Sequence, residues 1–101
     1  MQMSMNNYAI INEKQFRKLA KTAVMNYWNG NEELCKRFGD IIGPDDVYIV
    51  WQVKVIQNFK ALLGVNRQGD DMYFEFTYHG EMNCCYLDAY KKQDQVVIDV
   101  K

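Results

Sequence analysis

The sequence predicts an α+β fold: an N-terminal helix and a short second helix packed on an antiparallel meander of four to five strands. Three observations lead there. Apolar residues between positions 16 and 27 recur with the period of a helix. After position 46 the period changes to two. Turn residues then cut the second half into short consecutive runs, with no helix between them to make a parallel crossover.

The first helix is predicted from its cap. Asn12 is a good N-cap residue, and Gln15 stands three positions later, as in a capping box. Ile11 and Phe16 occupy the positions of a hydrophobic staple. Phe16, Leu19, Ala20, Ala23, Val24 and Tyr27 form one apolar stripe. Lys14, Arg17, Lys18 and Lys21 lie mostly off it, and Asn29-Gly30 predicts a left-handed stop. Asn31 caps a second helix that carries Leu34 and Phe38 on one face and ends at Gly39.

Gly43-Pro44-Asp45-Asp46 is a turn. From it, Val47, Ile49, Trp51, Val53 and Val55 alternate with their neighbours, which predicts a strand with one strongly apolar face. Trp51, its central apolar residue, is expected in the core beneath the first helix. Gln57-Asn58 turns the chain into a strand over 59–65, whose register Leu62 leaves open. After a polar loop comes a third strand bearing Met72, Phe74, Phe76 and Tyr78 on one side. His79-Gly80 is read as a tight turn, 83–90 as the fourth strand and 96–100 as a fifth, edge strand. Residues 1–7 read as a disordered end, and 8–101 as one domain, with 8–11 either an edge strand or the lead into the helix. In element order alone, a helix over a curled meander resembles a cystatin-like topology.

Composition narrows the function classes. Twelve Lys+Arg against thirteen Asp+Glu give a net charge of −1, so the basic excess of a nucleic-acid binder is missing. No stretch is long and apolar enough for a membrane span, and the N-terminus does not read as a signal peptide, so a cytoplasmic protein is expected. The odd set Cys35, Cys84 and Cys85, two of them adjacent, is a poor disulfide framework and reads as free thiols.

Candidates for chemistry are few. His79 and Cys84 flank a turn, yet no third group is evident to orient them. Adjacent cysteines on a strand point to opposite faces and do not share a metal, so no metal site or cofactor is expected. Glu75 and Asp88 share a face with lysines of nearby strands and read as ion-pair partners. Gln95-Val96-Val97 superficially resembles a cystatin protease-binding hairpin, but it sits at the wrong end and lacks the following glycine. No glycine-rich phosphate loop occurs. With no nucleophile, base and orienter to assemble, the protein is expected not to be an enzyme.

The richer pattern is the face turned away from the helix. A hairpin at His79-Gly80 sends Tyr73, Glu75 and Thr77 to the same side as Cys84, Tyr86, Asp88 and Tyr90. Tyr48, Gln52 and Lys54 of the first strand are expected to join them. Tyrosine gives contact area with a polar tip at low ordering cost, which suits a protein interface. Tyr48, Gln52, Lys54, Tyr73, Glu75, Tyr86, Asp88 and Tyr90 are therefore the predicted binding residues. The same face and the fifth strand are available for self-pairing, so a homodimer is expected.

Four blocks carry a resemblance. They are Asp45-Asp46-Val47-Tyr48-Ile49-Val50-Trp51, Ile56-Gln57-Asn58-Phe59-Lys60-Ala61-Leu62, Met72-Tyr73-Phe74-Glu75-Phe76-Thr77-Tyr78 and Tyr86-Leu87-Asp88-Ala89-Tyr90-Lys91-Lys92. Together they resemble a family of short proteins of unknown function from phages and prophages of low-GC Gram-positive bacteria. His79-Gly80 stands where that pattern has Asn-Gly. The resemblance brings no site residues. It implies a phage-encoded cytoplasmic accessory protein that binds a host or phage macromolecule. The alternative is a small-ligand or nucleotide-sequestering protein.

Overall fold

The computed structural model describes residues 11–39 and 41–100. The chain runs α1 (Glu13–Asn29), α2 (Glu32–Phe38), a 3-10 turn (Pro44–Asp46), β1 (Val47–Val55), β2 (Asn58–Val65), β3 (Met72–His79) and β4 (Cys84–Lys91). The strands form one antiparallel sheet in the order β1-β2-β3-β4. Both helices lie against one face of it, so the fold is α+β as the sequence predicts. The expected disorder of residues 1–7, and most of the segment before the first helix, lie outside the described residues.

The capping box at the start of α1 is formed: Gln15 N donates to Asn12 Oδ1 at 2.7 Å and Asn12 N donates to Gln15 Oε1 at 2.8 Å. Two donors left over by the helix start are thereby satisfied. The buried stripe is Phe16, Ala20, Val24 and Trp28, one residue every turn. It is narrower than the sequence spacing suggests. Leu19 and Tyr27 sit at its margin and are partly exposed, while Trp28 is fully buried. Gly30 corrects a second expectation: its φ of −86° is right-handed, its N–H donates to the Asn26 carbonyl, and the Asn31 N–H donates to the Trp28 carbonyl. The left-handed stop is at Gly39, with φ 96°, as predicted for α2.

Asn29 fastens the following loop. Its side chain donates to the Ile42 carbonyl at 2.9 Å and accepts from the Ile42 N–H at 2.8 Å. Ile42 is thereby held in the core. Arg67 in turn bonds Asp46 at 3.0 Å, and with the Gly43 N–H it holds the Asp46 carboxyl below the ordinary carboxylate range. Under the helices lie Phe59, Ala61, Leu63, Phe74, Phe76 and Tyr78. Phe16 stacks on Phe59 with ring centroids 4.9 Å apart.

β1 departs most from the sequence reading. Ile49 pairs with Leu63, but Trp51 pairs with Leu62, so Val50 is an extra residue in a β-bulge. Before the bulge, Val47 and Ile49 face the helices. After it the faces exchange: Gln52 and Lys54 pair with core-facing Ala61 and Phe59, and Trp51, Val53 and Val55 turn outward. Trp51 is 45% exposed and is not in the core. Gln52 and Lys54 are likewise not on the tyrosine face; Lys54 Nζ sits 5.7 Å from the Phe59 ring centroid on the helix side.

The turns also shift. β1 and β2 are joined by Ile56-Gln57, one residue earlier than predicted, and Ile56 takes a φ of 58°. A β-branched residue pays for that left-handed conformation, whereas asparagine tolerates it. Ile56 is 83% exposed, so its side chain returns little burial. Ile56→Asn is expected to stabilise the fold by about 1 kcal/mol, read as a higher melting temperature. A lower one would contradict the strained turn.

The β3–β4 connection is not the tight turn at His79-Gly80. His79 is the last residue of β3, and four residues, 80–83, form the loop. Residues 92–100 carry no helix or strand, so the fifth strand expected over 96–100 is absent from the described chain.

Candidate functional site: the uncovered face of the sheet

Among the described residues the sheet is covered on one side only, and the smallest dimension of the molecule is 20 Å. That is one helix layer and one sheet layer. The other face is laid out in rows by the strand register. Tyr48 opposes Gly64, and Tyr73 opposes Tyr90. Trp51 opposes Leu62, which opposes Glu75, which opposes Asp88. Val53, Lys60, Thr77 and Tyr86 form the next row, and His79 pairs with Cys84 beyond it.

The rows divide the face into two halves. The β1 side is the more apolar: Trp51 lies beside Leu62, and Val53 and Val55 follow it along the strand. The β3–β4 side is aromatic and charged. Tyr73 and Tyr90 stack there with ring centroids 5.0 Å apart and planes 14° apart. Tyr48 reaches toward them because Gly64 leaves the space: a Cβ on Gly64 would lie 2.6 Å from Tyr48 Cζ. Glu75 and Asp88 are directly opposed carboxylates, a repulsive cross-strand pair. Lys60 Nζ, 3.4 Å from Glu75 Oε1, offsets part of that repulsion.

Two of the phenols, Tyr86 and Tyr90, are held in the protonated form by this setting. Partial burial of Tyr90, with the Glu75 and Asp88 charges beside it, raises its pKa. Tyr86 is raised by its hydrogen bond with Cys84, whose Sγ lies 3.4 Å from the phenol oxygen. Both tyrosines thus present O–H groups that donate and accept.

Of the predicted binding residues, Tyr48, Tyr73, Glu75, Tyr86, Asp88 and Tyr90 are brought onto one face. Gln52 and Lys54 are removed from it by the bulge. Sequence reasoning missed Trp51, Val53 and Val55 as surface residues. The signal that could have found them is Val50, an apolar residue off the alternating phase.

His79 and Cys84 are cross-strand partners at the end of this face. His79 Nδ1 is buried and makes no hydrogen bond, and the hydrogen bond of the Cys84 thiol goes to Tyr86 rather than to the imidazole. All three cysteines are free thiols, as expected, and burial pushes the Cys85 thiol up. Among the described residues no group of three metal-ligating side chains converges, and no helix is long and apolar enough to cross a membrane.

Fold and face together define a small α+β module with one helix-covered and one open sheet surface. The chain belongs to a family of unknown function, DUF6275, whose match spans residues 17–100. No curated protein and no solved structure matches it.

Proposed function

We propose that this chain is a non-catalytic accessory protein that binds a host or phage protein through the β3–β4 half of its open sheet face. The observation that carries this reading is the cluster of Tyr73, Tyr86 and Tyr90 around the opposed carboxylates Glu75 and Asp88, left uncovered by any element of the described chain. Aromatic residues commonly dominate binding energy at protein interfaces. A carboxylate pair only partly neutralised by Lys60 suits a lysine or arginine of the partner, and it repels a phosphate backbone. The resemblance of the sequence blocks to phage proteins supports a partner in the cytoplasm of a bacterial host.

The test is affinity capture from the bacterial host, followed by binding measurements on the purified partner. Tyr73→Ser combined with Tyr86→Ser, in protein shown to be folded by circular dichroism, is expected to weaken binding by at least about 100-fold. Unchanged affinity would mean that the face is only a solvated sheet surface.

A small-ligand reading has one specific feature behind it. A cleft of about 190 Å³ lies where α1 and α2 meet β3 and β4, with Asn31, Arg37 and Lys91 among its lining residues. It is smaller than the roughly 300 Å³ at which ligand sites usually begin, and Arg37 is already paired with Asp71 at 3.1 Å. A small anion that co-purified with the protein and was lost on Lys91→Ala would favour it.

A further inference from the structure

We propose that residues 96–100 of one copy add as a strand to the β1 edge of a second copy, an edge that no other strand of the described residues covers, making this chain a tail-exchanged homodimer. Val96, Val97, Ile98 and Val100 are 75–93% exposed, and the segment has no secondary structure. Four branched apolar residues in five have the composition of a strand, and they have no seat on their own protomer.

The pattern of the segment fits β1. Within residues 51–55 Lys54 is the one charge, and within residues 96–100 Asp99 is the one charge. Trp51, Val53 and Val55 face outward while Gln52 and Lys54 face the helix side. Strand alternation puts Val96, Ile98 and Val100 on one side of the added strand and Val97 and Asp99 on the other. Setting Asp99 beside Lys54 therefore continues the apolar rows of the outer face without a break. The other edge, β4, presents Tyr86, Asp88 and Tyr90 on its outer side, and a carboxylate there does not match an apolar tail.

Geometry excludes the chain's own β1. The tail leaves the sheet at Lys91, which pairs with Met72 at the end where β1 begins. With Asp99 beside Lys54 and the added strand parallel to β1, Val96 sits beside Trp51, four strand spacings across and three residues along, some 22 Å away. The five residues from Lys91 to Val96 span at most about 18 Å. A second copy meets no such limit, and a two-fold arrangement fills both seats at once. In a two-fold pair each copy gives one tail and receives one, so the four tail residues lie beside the partly exposed Trp51, Val53 and Val55 at both seats.

Sedimentation of the full chain tests this, with a chain ended after Gln95 and two charge variants. The full chain is expected at twice the monomer mass, and the shortened chain at one, with the same circular dichroism spectrum. Lys54→Glu is expected to weaken the dimer about tenfold, and Lys54→Glu with Asp99→Lys to restore it. A full chain that stays monomeric into the high micromolar range overturns the proposal, as does a shortened chain that remains dimeric. Failure of the double charge variant to recover the dimer overturns the β1 seat. The tyrosine cluster lies on the opposite half of the face, so the shortened chain keeps its partner binding and the two readings stand or fall separately.

Discussion

Trp28→Ala is expected to destabilise the protein by about 3–5 kcal/mol, and Trp51→Ala to leave its melting temperature within a few degrees of the parent. The two tryptophans have opposite surroundings. Trp28 is fully buried in the last turn of α1, with the Phe38 ring 5.3 Å and the Phe74 ring 6.5 Å away. Truncating it opens a cavity where α1, α2 and β3 meet, and helix and sheet cannot both move to fill it. In a domain of this size the loss lowers the melting temperature by roughly 15 °C or more. Trp51 lies across the sheet from every helix. Trp28→Phe should be much milder than Trp28→Ala, because Trp28 Nε1 is buried without a hydrogen-bond partner and phenylalanine removes that unpaired donor. Thermal melts of the three variants decide it. A large loss on Trp51→Ala in the chain ended after Gln95 would mean that the β1 faces do not exchange at Val50.

Gly80→Ala is expected to cost about 2–3 kcal/mol, at the upper end of overpacking penalties. The reason is space rather than backbone freedom. A Cβ at Gly80 would collide with the Gln57 backbone carbonyl as well as its side chain. At this point the β1–β2 turn rests on the β3–β4 loop, and Gly80 N also donates to Asn58 Oδ1 at 3.0 Å. A backbone carbonyl cannot swing aside, so the two hairpin ends must separate. Gly64→Ala is the control. The atoms its Cβ would meet are the ring tip of Tyr48, a partly exposed side chain that can rotate. Its cost should stay under about 1 kcal/mol. Chemical denaturation of both variants measures the difference, and equal costs would contradict the packing of the two turns.

The helices were legible because their signals are local. Asn12 with Gln15, and Asn31 with Gly39, mark ends by hydrogen bonds within a few residues, and the structure makes those bonds. The strands were legible as runs, and the β3–β4 faces came out correctly despite a misplaced turn. The loop is centred two residues later than expected, which shifts the pairing by an even number of residues and leaves every side chain on its predicted face. β1 had no such protection. Its apolar residues fall on both phases, at Val47 and Ile49 and then at Val50, so an inserted residue leaves the pattern looking regular while it turns half the strand over. That single step moved Trp51 to the surface and took Gln52 and Lys54 out of the candidate site. The fifth strand failed for a different reason: branched residues at 96–100 state a preference for extended backbone, but a preference does not supply a partner strand.

The meander has a consequence for the protein as it is synthesised. Each strand pairs with the next in sequence, so its ladders close through short loops and demand little chain entropy. α1 is made first, yet its seat is built from β2 and β3, which follow it by about thirty residues and more. A nascent chain therefore carries Phe16, Val24 and Trp28 past the ribosome exit before β2 and β3 exist to cover them. The capping box favours helix during that interval, but a lone helix of this length is marginal in water. The vulnerable moment in the life of this protein is thus the wait between its first helix and its third strand, when a chaperone or a neighbouring nascent chain competes for the same apolar stripe.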